Sequence, residues 1–268
     1  MGSTRYQPTG IGFGGIGMTP VVKGLLIANT AVFVLASLFR LDLSVFFGLT
    51  PFLTVKGMVW QLATYMFLHG SLGHILFNML ALWMFGTVLE RTWGSRRFLR
   101  YYMVCGIGAG LCVLLGAWMF GDPRTTTIGA SGAIYGLLVA FGVLFPNATI
   151  LAFLFFPMPA RYFVILMAGI SFYLALQSGG GGTVSHIAHL GGFVIGYLYL
   201  KRMESSRGYS PISGYYSHRP RRSAWTKWFS VEEWRIAYAN WRRKRLKKQF
   251  EVYMRKQDRP SGPDHWVN

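Results

Sequence analysis

The sequence predicts an all-α membrane protein: a bundle of six transmembrane helices followed by a basic cytoplasmic tail carrying one further helix. Three observations lead there. Hydrophobic residues make up 52% of the 268 residues and charged residues only 13%, against about 25% charged in soluble domains. The apolar residues fall in blocks close to the roughly 20 that cross a bilayer as a helix. Those blocks are continuous rather than alternating, which selects helices over a closed barrel.

Residues 1–19 are Gly-rich and read as a flexible N-terminal segment. Spans are expected near 20–39, 71–90, 99–119, 131–147, 161–177 and 184–200, so that 20–200 forms one six-span domain. Residues 201–268 form the tail: a polar linker to 229, then an amphipathic helix near 230–257. Ser230-Val231-Glu232-Glu233 reads as the capping box that opens this helix. Cys105 and Cys112 lie seven apart on one helix face, too distant to bridge, and read as small buried hydrophobes.

The positive charges orient the bundle. With the N-terminus inside, the inner segments hold Arg5, Lys23, Arg91, Arg96, Arg97, Arg100, Arg161 and the tail. The outer segments hold only Arg40, Lys56 and Arg124. An even number of spans with both termini cytoplasmic satisfies this asymmetry. The formal net charge is +18, and 17 of the 27 Lys and Arg residues lie in 201–268. A juxtamembrane basic helix favours anionic lipid as its partner. A partner protein is second, and nucleic acid is unlikely by this reading. Short loops and the lack of a transit-type leader point to a bacterial inner membrane.

Two segments carry candidate chemistry. Gly129-Ala130-Ser131-Gly132-Ala133-Ile134-Tyr135-Gly136 places Ser131 where a loop becomes a helix. Backbone N–H groups at a helix start lack intrahelical partners and attract negative charge. Ala188-His189-Leu190-Gly191-Gly192 places His189 inside the sixth span, where an ionisable residue is costly and a functional candidate. An N-cap serine and a hydrogen-bonded packing histidine are the ordinary readings of each residue alone. In the second span, His74 and Asn78 sit one turn apart on one face and suit an oxyanion site.

Ser131 falls at the outer end of the fourth span, and His189 and His74 lie about 8 Å below the same end. Three polar residues far apart in sequence thus share one layer. Gly132-xxx-Gly136 and Gly192-xxx-Gly196 are helix-packing motifs that let the two helices approach closely. Tyr135, one turn below Ser131, is placed to orient the histidine by stacking. His186 reads as a loop or packing residue. No carboxylate completes a triad, because Glu90 falls at the inner end and Asp42 and Asp122 in outer loops. A Ser131–His189 dyad is the economical reading. No metal-ligand cluster stands out.

These residues resemble the bacterial-type, six-helix rhomboid intramembrane serine proteases. Gly129-Ala130-Ser131-Gly132 matches the family's GxSG motif, with Tyr135 in place. Ala188-His189-Leu190-Gly191-Gly192 matches its histidine motif, and His74-xxx-Asn78 its HxxxN motif. The resemblance covers about residues 20–200. It implies cleavage of transmembrane protein substrates in or near a membrane span. Ser131 would be the nucleophile and His189 the base and acid. His74, Asn78 and the Ser131 N–H would hold the oxyanion, with no metal or cofactor and with the fifth span acting in substrate admission. One departure concerns the first outer loop, where the family's Trp-Arg pair is Trp60-Gln61. That change bears on the loop's internal hydrogen bonds and leaves the dyad untouched. Glu90 and Arg91 read as a structural ion pair.

A rhomboid-like protein that binds transmembrane clients without cleaving them is the alternative, but such proteins typically lack the serine or the histidine. A small transporter is disfavoured, because its site belongs at the midplane.

Overall fold

The computed structural model describes residues 17–152, 156–177 and 181–205. The expected tail helix at 230–257 and most of the Gly-rich segment 1–19 lie outside them. The fold is mostly helical. Helix α1 (Pro20–Leu38) leads into three single helical turns, α2 (Ser44–Phe47), α3 (Pro51–Thr54) and α4 (Gln61–Thr64). The second long segment is α5 (Leu72–Ala81), a π turn over Leu82–Gly86, and α6 (Thr87–Trp93). Then follow α7 (Ser95–Phe120), α8 (Ser131–Leu144), strands β1 (Thr149–Ala152) and β2 (Phe156–Pro159), α9 (Ala160–Gln177) and α10 (Gly181–Ser205).

Four helical segments, Pro20–Leu38, Leu72–Trp93, Ser95–Met119 and Ala160–Gln177, are long and apolar enough to cross a membrane. Helix α8 is apolar but shorter, because Pro146 follows. The residue before a proline is driven out of the helical region, and Phe145 sits at φ −126°, ψ 54°. The helix therefore stops at Leu144 rather than near 147. The antiparallel pair of β1 and β2 occupies a stretch that the sequence left unassigned.

Helix α7 runs through the centre of the bundle, flanked by α8 and α10. Its Tyr101, Tyr102 and Phe98 are fully buried beside Leu82, Leu89 and Leu137. Cys105 and Cys112 are both free thiols.

The start of α1 is held by a distant residue. Proline at its first position removes one orphan donor. The Glu90 carboxylate accepts from the N–H groups of Val21 (3.0 Å) and Val22 (2.9 Å), and from Ser95 Oγ at 2.6 Å. An anion at a helix N-terminus also meets the positive end of its dipole. One carboxylate thus joins α1, α6 and α7. The expected Glu90–Arg91 ion pair is not formed, because Glu90 is turned to these donors. Arg91 Nη2 donates instead to the Gly17 carbonyl at 2.7 Å.

The first loop is organised around Gln61, which is fully buried. Its Oε1 accepts from Thr50 N–H (3.1 Å) and Thr54 Oγ1 (2.9 Å), and its Nε2 donates to the Val45 carbonyl at 3.0 Å. Trp60 Nε1 donates to the Phe46 carbonyl at 2.9 Å. The amide thus supplies both donors and acceptors where the resemblance leads one to expect a guanidinium, which only donates. The loop in turn braces the segment before α8. Leu49 and Thr127 exchange two backbone hydrogen bonds of 2.9 Å, and Gly129 N–H donates to the Tyr65 carbonyl at 2.9 Å.

Replacing Glu90 with alanine leaves two backbone donors and a hydroxyl without their acceptor. Leaving buried groups unsatisfied costs about 1–3 kcal/mol. Denaturant unfolding in detergent is expected to show a loss in that range for Glu90→Ala, and a smaller loss for Glu90→Gln.

Candidate active site

Ser131 is the first residue of α8, and its chain direction is set by Gly129 two residues earlier. Gly129 has φ +122°, a conformation that side-chain-bearing residues rarely adopt. It also has no room for a side chain. A Cβ there would lie 2.6 Å from His74 Nε2 and 3.9 Å from Asn78 Nδ2. The same fact locates the two polar side chains of α5: both nitrogens border the turn that delivers Ser131. His74 is itself fixed near the start of α5, where its N–H donates to the N-cap Ser71 Oγ at 3.2 Å. The first N–H groups of α8, including that of Ser131, have no intrahelical acceptor.

His189 reaches Ser131 because α8 and α10 nearly touch. A Cβ on Gly192 would collide with the Gly132 carbonyl, and one on Gly196 would lie 2.8 Å from Gly136 Cα. On the other flank, a Cβ on Gly136 would lie 2.5 Å from Cys105 Sγ and one on Gly132 2.7 Å from Ala109 Cβ. All four glycines therefore sit where backbone meets a neighbour. Glycine 132 faces 192 and glycine 136 faces 196, so the two helices run in the same direction. One turn above that contact, His189 Nε2 lies 2.9 Å from Ser131 Oγ.

Among the described residues, the imidazole is held by ring stacking on one face rather than by a charged partner. Tyr135 stacks on it at 4.3 Å between centroids with planes 6° apart. Phe193 meets Tyr135 edge-on at 4.9 Å and 89°. Ser171 of α9, almost wholly buried, donates from Oγ to Tyr135 Oη at 3.2 Å. His186 lies edge-on to His189 at 5.9 Å, a packing contact of the kind the sequence reading allowed.

Two further residues escaped the sequence reading. Tyr101 Oη, on α7, lies 2.9 Å from both the Gly136 and Gly196 carbonyls, so its hydroxyl closes the α8–α10 seam from below. His69 sits in the loop before α5 with its ring edge-on to His74 at 5.0 Å. Both its ring nitrogens are buried with no hydrogen-bond partner among the described residues. Burial, then His74, push its imidazole down to about 4, against the opposing pull of the Phe67 backbone. At neutral pH it is an uncharged packing partner for His74.

A Rhomboid domain model matches residues 56–204, more than half of the chain. The chain belongs to the rhomboid family. The matched region contains His74, Asn78, Ser131, Tyr135 and His189 and leaves α1 outside. Relatives of this rhomboid include RHOMBOID-like protein 12, mitochondrial, of Arabidopsis thaliana, 30% identical over 72% of this chain and 61% of that protein. Rhomboid protein 1, mitochondrial, of Saccharomyces cerevisiae is 38% identical over 50% of this chain and 38% of its own. The chain therefore spans less than two thirds of both. Rhomboid protease AarA of Providencia stuartii is 29% identical over 68% of this chain and 72% of that protein.

If the seam sets the site, Gly192→Ala is more damaging than an alanine elsewhere. Overpacking typically costs about 1–3 kcal/mol. Thermal unfolding is expected to show a lowered Tm for Gly192→Ala and none for Gly24→Ala, where an added Cβ meets nothing within 4 Å.

Proposed function

We propose that this rhomboid is an intramembrane serine endopeptidase. It hydrolyses peptide bonds in or near the transmembrane segments of membrane proteins. The observation that carries the reading is the 2.9 Å contact of Ser131 Oγ with His189 Nε2, whose ring is stacked on Tyr135. That is hydrogen-bond reach for a nucleophile and its base.

His189 Nε2 takes the Ser131 Oγ proton as the oxygen bonds to the substrate carbonyl carbon. Negative charge then develops on the former carbonyl oxygen. His74, Asn78 and the Ser131 N–H surround the turn at Gly129 and are the donors for it. The tetrahedral species collapses as His189 passes the proton to the leaving amine. Water next attacks the acyl-serine, with His189 again as base, which releases the second fragment and restores Ser131. Without a carboxylate partner, orientation of the imidazole falls to Tyr135, Phe193 and Ser171.

In the membrane, the long helices together with α8 and α10 make a six-span bundle with both ends cytoplasmic and Ser131 near the outer face. A bacterial inner membrane remains the proposed setting, and relatives of both mitochondrial and bacterial origin accord with a membrane enzyme. The exposed apolar residues of α9, among them Phe172, Tyr173 and Leu176, give a transmembrane substrate an apolar path to the site. The basic tail is proposed to hold anionic lipid.

Wild type, Ser131→Ala and His189→Ala are to be reconstituted in liposomes with a model transmembrane substrate and cleavage followed by mass spectrometry. Cleavage by wild type alone is the expected result. Equal cleavage by all three rules the dyad out. If no folded variant cleaves any of several substrates, the client-binding reading replaces the protease. Within the active enzyme, Asn78→Ala is expected to lower kcat by about 10²–10³-fold with little change in KM, the signature of a donor used in the transition state.

A further inference from the structure

We infer that His186 is a water-positioning residue: its Nδ1 holds, against His189, the water that hydrolyses the acyl-serine. The inference rests on the protease reading of Ser131 and His189. His186 and His189 lie three residues apart on α10, so one helix face carries both. Gly192 of α10 lies against Gly132 of α8, which puts His189 at the level where α8 begins. His186 is one turn nearer the start of α10, about 4.5 Å along the axis. It therefore stands at the end of the bundle that Ser131 faces. The two imidazoles meet edge-on, with centroids 5.9 Å and planes 74° apart.

Packing accounts for the ring contact but not for the nitrogen. His186 is half-buried, and its Nδ1 is shut off from solvent with no hydrogen-bond partner among the described residues. A buried polar atom left without a partner is costly, and a bound water is a common remedy. The other polar groups around the dyad are engaged. Ser131 Oγ and His189 Nε2 hold each other. Tyr135 Oη accepts from Ser171. The side-chain nitrogens of His74 and Asn78 border the Gly129 turn. His69 also has unpartnered ring nitrogens, but its ring packs on His74. Among the described residues, His186 Nδ1 is the unengaged polar atom beside the base.

The spacing suits one water. Two hydrogen bonds of about 2.8 Å reach across rings this far apart. Once Ser131 is acylated, its Oγ has no proton to share, and His189 Nε2 is open to water. The water oxygen bonds to the acyl carbon as one of its protons passes to His189 Nε2. The other proton is aimed at His186 Nδ1, which accepts it as a hydrogen bond in the neutral ring carrying its own proton on Nε2. His189 then returns its proton to Ser131 Oγ as the acyl bond breaks, and the carboxylic product leaves. His186 ends as it began. Attack by Ser131 on the substrate uses no water, so loss of the His186 nitrogen falls on the second half of the reaction.

Asparagine sets an amide close to where histidine holds Nδ1, and leucine sets a methyl group there. Wild type, His186→Leu and His186→Asn are to be compared in liposomes. A model transmembrane substrate reads the rate of first cleavage. A p-nitrophenyl ester of a lipophilic acid loads Ser131, and mass spectrometry follows decay of the acyl form. His186→Leu is expected to keep the acyl group about tenfold longer than wild type, the scale of one hydrogen bond. Its first cleavage is expected at the wild-type rate, and His186→Asn is expected to restore the wild-type lifetime. Equal lifetimes in wild type and His186→Leu overturn the inference. So does equal slowing of both steps in His186→Leu, the mark of a structural role, or a long lifetime in His186→Asn. In these outcomes wild type is still acylated at Ser131 and the protease reading stands. A wild type acylated at Ser131 by neither substrate nor ester removes that reading and this inference together.

Discussion

The structure depends on the close approach of two helices that run in the same direction. Hydrophobic collapse does not drive helices together in lipid, so association rests on packing and on hydrogen bonds between helices. Four glycines remove the side chains that would hold α8 and α10 apart, and the backbones then lie against each other. The Ser131–His189 contact, the Tyr135 stack and the Tyr101 bridge follow from that spacing. A wider seam would carry His189 beyond reach of Ser131, strand the Tyr135 stack, and leave Tyr101 unable to serve the carbonyls of Gly136 and Gly196 together.

Around the seam, polar groups fix what apolar packing leaves free. Glu90 caps a helix 68 residues away and ties three elements at one end of the bundle. Gln61 ties the turns of the first loop to one another, and that loop holds the strand-like segment ahead of Gly129. In an apolar setting each of these bonds lacks competition from water, so a few carry much of the specificity. The chain from Gln61 through Thr50, Leu49 and Thr127 to Gly129 and Ser131 is a continuous physical link between a loop and the candidate nucleophile.

Much of this was legible in the sequence, for a physical reason. Polar residues and paired glycines are conspicuous inside apolar runs, so Ser131, His189, His74, Asn78 and the glycine motifs could be read from composition and spacing. The π turn after α5, the fold-back of the first loop and the hairpin were not. Short helical turns carry no period long enough to see. A ten-residue apolar run with two prolines is too short to span and does not alternate, so it resembles neither strand nor transmembrane helix. Tyr101 and His69 were missed because their roles exist only once α8 and α10 have met or the His74 ring has been placed. Glu90 was read with its sequence neighbour Arg91, whereas its partners are the unsatisfied N–H groups of a distant helix.

The central claim is that the seam turns an ordinary serine into a nucleophile, and reactivity tests it more directly than any substrate. The folded protein in liposomes is to be treated with a fluorophosphonate, and the modified residue mapped by mass spectrometry in wild type and in His189→Ala. The account predicts an adduct on Ser131 in wild type and its loss in the folded His189→Ala variant. Equal modification of Ser131 in both, or an adduct on another serine alone, would contradict it.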